Sequence, residues 1–251
     1  MTTAHSKGLW VSAGATHRGR VRPINQDAFL DRPDLGLWAV ADGMGGHASG
    51  ERASALVVEL LATLPRPRFL GRSARQVAHL IAAANRQLIA DAQTNGDVII
   101  GTTVVTLVAV GHCCALLWVG DSRIYRLRDG RLRQLTTDHT EVQRMVAMGD
   151  LSAEQAEGHP HAGVLSRAVG AEDDVRIDRL IDTWRDGDRY LLCSDGLTKE
   201  LKPDQITRLS GKSNVAEASQ QLIELACDAG GRDNVTVVIV DFGSFAPQSP
   251  G

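Results

Sequence analysis

Two short glycine-bearing turns constrain the middle of this chain more than any other feature. GTTVVTLVAV and CCALLWVGD flank Gly111-His112, and SRIYRLR and RLRQL flank Asp129-Gly130. A two-residue loop with glycine first, or an Asp-Gly pair, closes a hairpin because its backbone twist matches that of the strands it joins. Gly101 to Leu135 therefore reads as an antiparallel meander, with Asp121 set across from about Thr102. Upstream, AFLD and LWAVA are joined through Arg32-Pro33-Asp34-Leu35-Gly36. A turn centred on Asp34 and Leu35 places Asp27 opposite Asp42.

Helical patterns separate and follow these hairpins. ERASALVVELLATL carries a helical apolar stripe that ends at Pro65, and Ser73 to Gln93 carries a second, stopped by Gly96. From Asp138 to about Gly158 the pattern is again helical and starts afresh at the cap-like Ser152. Residues 159 to 176 have weak periodicity and read as a loop or flap. Arg176–Ile181, Arg189–Cys193 and Asn234–Phe242 read as strands, Pro203–Leu209 and Val215–Asp228 as helices, and the chain from Gly243 as loop. Hairpins in two blocks, with helices between and after, indicate a layered α+β domain and exclude an alternating parallel α/β sheet.

The chain has 251 residues, 43% of them hydrophobic, enough for one large core. We expect a single domain over 1–243, with a flap at about 138–169 and a tail at 244–251. Its 27 basic and 30 acidic side chains give a formal charge of −3, so nothing draws the whole protein to nucleic acid or to an anionic membrane. Cys113, Cys114, Cys193 and Cys227 form no C-x-x-C pair, which fits a reduced, cytoplasmic protein. The first residues lack the pattern of a signal peptide, and the longest clean apolar run, Cys113–Val119, is far short of the about 18 residues of a membrane span. Without a heptad or an exposed apolar stripe, a monomer is the simplest expectation.

The acids carry the chemical information. Asp42 ends LWAVA, Asp121 ends ALLWVG, Asp195 ends YLLCS and Asp233 precedes NVTVVIV. One Asp-Gly after a strand is ordinarily a turn, but four strand-end acids are another matter. The first hairpin already sets Asp27 beside Asp42. If the strand before Asp195 pairs antiparallel with the one after Asp233, those carboxylates share one end as well. Converging carboxylates repel and call for a cation, and an all-oxygen set suits Mg²⁺ or Mn²⁺ better than zinc. More than three acids indicate more than one ion, and two ions close together are the arrangement for in-line hydrolysis of a phosphate ester. Arg22, five residues before Asp27, is the candidate to hold two phosphate oxygens through its planar fork. His47, in the glycine-rich loop after Asp42, is placed to contact substrate or protonate a leaving alkoxide. His159 and His161 are either ligands or exposed loop residues.

Three other motifs fail on inspection. Gly43-Met44-Gly45-Gly46-His47-Ala48 fits the dinucleotide fingerprint G-x-G-x-x-A, but Asp42 would aim a negative charge at the pyrophosphate and no βαβ unit follows. Gly211-Lys212-Ser213 resembles the end of a P-loop, yet position 206, where that motif needs glycine, is Ile206. A cysteine phosphatase needs arginine six residues after a cysteine, and those positions hold Val119, Gly120, Lys199 and Asp233.

VRPINQDAF, ADGMGGHASGERAS, GTTVV, VGDSRIYRLRDGRLRQLTTDH, HPHAGVLSRAVG, YLLCSDGL and GGRDNVTVVIV occur in this order between about Arg18 and Val240. The set resembles the metal-dependent protein phosphatases of type 2C, in their compact bacterial form. The resemblance implies a four-layer α-β-β-α sandwich, two antiparallel sheets face to face with helices outside and a metal cleft at one end. It also implies hydrolysis of phosphoserine and phosphothreonine in proteins by a metal-bridging water, with no phosphoenzyme, in opposition to a bacterial Ser/Thr kinase. Carried over by motif, Asp42, Asp195 and Asp233 bind one Mn²⁺ or Mg²⁺, while Asp42 and the Gly43 carbonyl bind a second and Asp27 acts through waters. Asp121 with Asp195 matches a third, weaker site. Asn234 supports the cluster, Arg22 matches the phosphate-binding arginine, and the flap shapes substrate choice. Related stand-alone members imply a role beside kinases of cell-wall or secretion systems. The chain departs from many members at Gln26, where they carry glutamate, and from animal relatives at Met44, where they carry histidine. Two further readings stand beside this one: a catalytically weak module that binds phosphoproteins, and a phosphatase for a small phosphorylated metabolite.

Overall fold

The computed structural model describes residues 8–45, 49–94, 100–156, 158–211 and 214–245. His47, Gly96, Lys212, Ser213 and the tail beyond Phe245 lie outside the described residues. The strands are β1 (Gly8–His17), β2 (Asp27–Arg32), β3 (Leu37–Met44), β4 (Gly101–Thr102), β5 (Val104–Val110), β6 (Cys113–Val119), β7 (Arg123–Arg128), β8 (Arg131–Gln134), β9 (Asp178–Thr183), β10 (Arg189–Cys193) and β11 (Val235–Phe245). The helices are α1 (Ser49–Ala62), α2 (Leu70–Thr94), α3 (Glu141–Met148), α4 (Ala153–Ala156), α5 (Asp195–Glu200), α6 (Pro203–Ser210) and α7 (Val215–Asp228). One sheet runs β1-β11-β10-β7-β8; the other runs β2-β3-β5-β6-β9, with β4 added on β3. Every strand pairing is antiparallel.

Period-two side-chain alternation builds the layers. In β3, Trp38 and Val40 face the other sheet while Leu37 and Ala39 face α1 and α2; in β11, Val238, Val240 and Phe242 face inward while Val235, Val237 and Ile239 pack under α5, α6 and α7. Both sheets are thus apolar on both faces, and each needs a helical layer outside it. The result is the four-layer α-β-β-α sandwich expected of the resemblance.

The turns behave as their residues require. Asp129 and Gly130 both take positive φ, 50° and 72°, the primed turn that closes β7–β8. Arg32 pairs with Leu37 and Asp27 with Asp42. The β5–β6 ladder stops at Val104–Val119, and Thr102 faces Gly43 and Val169 instead of continuing to Asp121. Gly120 causes the break: at φ 103°, and with a Cβ there falling 2.6 Å from Thr103 Cβ, it swings the chain out of the ladder.

Other boundaries differ from expectation. β1 and α5 are additional elements. β9 starts two residues later than expected, and α1 two residues earlier. β11 continues past Gly243 to Phe245, because Phe245 pairs with Gly8 across a register shift in β1. The cysteines are free thiols, Cys113 exposed and the other three buried. No helix among the described residues is long and apolar enough to cross a membrane.

Candidate metal centre

Five acids meet at one end of the sandwich, delivered by both sheets. Asp27 opens β2 and Asp42 lies opposite it in β3. Asp195 follows β10 and Asp233 precedes β11, and Cys193 pairs with Val237 between them. Asp121 sits in the segment that crosses from β6 to β7. Burial and the neighbouring carboxylates raise the proton affinity of Asp27, Asp42 and Asp121. Burial first, then Asp27, Asp195, Asp121 and Asp233, hold the Asp42 carboxyl well above the usual range. Burial pushes Asp27 up to about 7, with Asp195 and Asp233 adding to it against the hydrogen bonds from Thr236 and Ser194. Asp121 is likewise pushed up to about 7 by burial, Asp195 and Asp138, against the lowering pull of Lys199.

Close backbone packing holds the acids in place. A Cβ on Gly43 would lie 2.0 Å from the Gly50 carbonyl oxygen, so the start of α1 rests directly on β3. The Gly43 amide donates to the Gln26 carbonyl at 3.1 Å, and Ser54 Oγ donates to the same oxygen at 2.6 Å. Gln26 Nε2 donates to the Gly45 carbonyl at 3.5 Å, a donor role that glutamate could not fill. Asp42 is pinned through its backbone: its amide donates to Thr103 Oγ1 at 3.2 Å, and its carbonyl accepts from the Thr103 amide at 2.9 Å. Ser194 occupies the N-cap position of α5 yet makes no capping bond; its hydroxyl donates to Asp27 Oδ2 at 2.8 Å and accepts from the Thr236 amide at 3.0 Å. Thr236 Oγ1 adds a second bond to Asp27 Oδ2 at 2.7 Å.

The loop between β1 and β2 carries Arg22 to the cluster. Asn234 anchors that loop: its Oδ1 accepts from the Gln26 amide at 2.8 Å, and its Nδ2 donates to the Arg18 and Ile24 carbonyls at 2.9 Å each. Arg22 then grips Asp233 with both arms, Nε to Oδ1 at 2.8 Å and Nη2 to Oδ2 at 3.1 Å. Burial would raise Asp233, but Lys199 and Arg22 outweigh it and hold the carboxyl below its ordinary value.

Lys199 is the neighbour the sequence reading passed over. Its Nζ lies 2.5 Å from Asp195 Oδ2 and 3.1 Å from Asp233 Oδ2. The signal was a lysine four residues after a strand-end aspartate, which faces that acid only if a helix starts there. Ser194, Thr236 and Thr103 were missed as well, because a hydroxyl beside a carboxylate leaves no trace in spacing.

Among the described residues, no group of three or more His, Cys, Asp or Glu side chains is arranged to hold a metal ion. Asp195 and Asp233 instead direct oxygens at Lys199 and Arg22. The donor set nevertheless fits hard divalent cations. Asp27 Oδ1 and Asp195 Oδ1 are buried without a hydrogen-bond partner, and buried carboxylate oxygens facing other carboxylates are satisfied by a cation or not at all. Asp27, Asp42, Gly43, Asp121, Asp195, Asp233, Arg22 and Asn234 are thus brought to one place, while His47 lies outside the described residues.

A family model described as Protein phosphatase 2C matches residues 13–228. The serine/threonine protein phosphatase PstP of Mycobacterium tuberculosis is 40% identical over 91% of this chain, which spans 44% of that protein's length. The serine/threonine phosphatase stp of Listeria welshimeri is 34% identical, over 90% of this chain and 93% of that one. Among solved structures, PppA, a regulatory component of T6SS in Pseudomonas aeruginosa, superposes with a TM-score of 0.87 at 35% identity, covering 94% of this chain and 99% of that one. A PstP catalytic domain in complex with two manganese ions superposes at 0.81 with 38% identity, covering 92% and 97%. With the sandwich, the acid cluster at its end and a family match over most of its length, this chain belongs to the protein phosphatase 2C family.

Proposed function

We propose that the protein is a Mn²⁺- or Mg²⁺-dependent phosphatase of phosphoserine and phosphothreonine in proteins, the counterpart of a bacterial Ser/Thr kinase. The observation that carries this is the cross-sheet carboxylate cluster, with orphaned buried oxygens on Asp27 and Asp195 and an arginine gripping Asp233 through both arms. In this reading Asp42, Asp195 and Asp233 hold one ion, Asp42 and the Gly43 carbonyl hold a second with Asp27 behind them, and Asp121 with Asp195 holds a third, weaker one. Divalent ions held there supply activation of water at neutral pH and neutralisation of charge on the phosphoryl group.

The chain's own residues do the rest. Arg22, whose side chain is half exposed beside Asp233, turns its fork to the phosphoryl oxygens and orients the ester. Asn234 keeps the Arg22 loop seated. His47 is assigned to protonate the departing seryl or threonyl oxygen. Beside the site, a cavity of about 450 Å³ between α3 and the 166–178 segment, lined by His139, Arg144, Arg167 and Arg176, gives the flap a surface on which to select substrate. The single domain, the monomeric state and the cytoplasmic setting complete the proposal. The likeness to PppA supports a place beside a secretion machine.

The test is phosphate release from a phosphothreonine peptide by chelator-stripped protein, with and without Mn²⁺, alongside Asp195→Asn. Strict metal dependence, abolished in the folded variant, is the expected result. Silence of the metal-loaded wild type on several phosphopeptides would instead favour a binding module, and faster turnover of small phosphomonoesters would favour a metabolite phosphatase.

A further inference from the structure

Lys199 stands one helical turn after Asp195, and its ammonium spans the outer oxygens of Asp195 and Asp233 at 2.5 and 3.1 Å. These two carboxylates belong to the first ion site of the function proposed above, and the inference rests on that reading. The ammonium therefore occupies the same electrostatic position as an ion there, with half the charge. Its side chain is 46% exposed, so a path to water is open. A compact, strongly hydrated ammonium on a flexible stem leaves for water more readily than a guanidinium locked in a fork.

We propose that Lys199 is an internal counter-ion: it holds Asp195 and Asp233 together in the ion-free protein, releases both when a divalent ion binds, and so lowers the ion affinity of the first site. Arg22 does not duplicate this role, because it grips Asp233 alone and lies on a different loop. Asp195 would otherwise have neither oxygen paired, since its Oδ1 is already orphaned.

Two measurements on the full chain decide the matter. The chain has four lysines, Lys7, Lys199, Lys202 and Lys212, so amine labelling resolved by mass spectrometry reads Lys199 individually. In chelator-stripped wild type, Lys199 is expected to label several-fold more slowly than the exposed Lys202, and Mn²⁺ is expected to abolish most of that protection. In Lys199→Met, which keeps the stem and removes the charge, calorimetric titration should show Mn²⁺ binding tightened on the order of tenfold. Lys199 labelling unchanged by Mn²⁺ overturns the inference, and so does wild-type affinity in Lys199→Met; either result leaves the metal centre standing. If stripped wild type binds no Mn²⁺, the metal reading itself fails and takes the inference with it. The labelling arm uses wild-type protein and remains decisive should Lys199→Met not fold.

Discussion

Gly196 follows Asp195 and Asn234 follows Asp233, so the contact between these two residues sets how close the two acids' backbones can come. A Cβ on Gly196 would stand 1.9 Å from the Asn234 carbonyl oxygen and 3.0 Å from its carbon. Real Cβ atoms essentially never come within 3.0 Å, and the shortfall, 3.0 minus 1.9, is 1.1 Å. β11 cannot yield, because it is paired on both sides, at His17–Val235 and at Cys193–Val237. In Gly196→Ala, α5 must therefore move out by about 1 Å. Helix propensity works the other way and favours alanine by up to about 1 kcal/mol. Overpacking costs about 1–3 kcal/mol, and a clash this deep against backbone lies at or above the upper end. The steric effect wins by about 2 kcal/mol, equivalent to a fall in Tm of about 4–8 °C for a domain of this size. The functional loss is larger, because a displacement of about 1 Å at a reacting centre costs on the order of 100-fold in rate. Differential scanning fluorimetry and phosphate release from a phosphothreonine peptide at saturating Mn²⁺ check both numbers. Wild-type Tm and turnover in Gly196→Ala would refute the argument that this contact spaces Asp195 and Asp233.

Arg22→Ala should raise KM for phosphomonoesters about tenfold with little change in kcat; its Tm should stay within a degree or two, because the exposed pair with Asp233 contributes only about 0.2–1 kcal/mol. An unchanged KM would move the phosphate clamp elsewhere. Asn234→Ala removes three hydrogen bonds to the Arg22 loop and should cost about 2–4 kcal/mol. Hydrogen exchange at the Gln26 amide should rise sharply, and protection equal to wild type there would sink the anchoring role. Asp42→Asn takes one charge out of a cluster of mutually repelling carboxylates; hydrolysis should be lost while the Tm of stripped protein rises by a few degrees. A lower Tm in the stripped variant would show that repulsion is not what dominates at Asp42.

The hairpins were legible because short turns fix register, and the turn centred on Asp34 and Leu35 set Asp27 against Asp42. β1 was not legible, because GLWVSAGATH lacks alternation. Its small residues answer to the facing sheet: a Cβ on Gly14 would lie 2.4 Å from the Phe29 ring, a constraint that hydropathy does not record. α5 was hidden because it is one short helix opening on Asp-Gly, which by itself reads as a turn, and Lys199 was hidden with it. Each acid was visible as the end of a strand. That acids from two different sheets meet was not visible in spacing, since nothing local specifies which faces pack; the family resemblance supplied that step.

The placement of the cluster explains how the fold tolerates it. Asp27 and Asp42 belong to one sheet, Asp195 and Asp233 flank strands of the other, and Asp121 lies on the crossing between them. Their repulsion therefore pushes the two sheets apart at this end. Against it stand the Ser194 and Thr236 hydroxyls, which reach across to Asp27 at 2.8 and 2.7 Å, and the Thr103–Ser122 hydroxyl pair at 2.7 Å. The apolar closure lies toward the other end, where Trp10, Trp38, Trp184 and Tyr190 gather around Phe242 with ring centroids 5.0–6.0 Å away. Aromatic pairs of this kind add about 0.5–1.5 kcal/mol each beyond their buried area. Because the sandwich is closed by those rings, the opposite end can carry charge that the apolar core neither needs nor neutralises. A cation held there would join the two sheets, so affinity for ions and cohesion of the site would be one property of the same carboxylates.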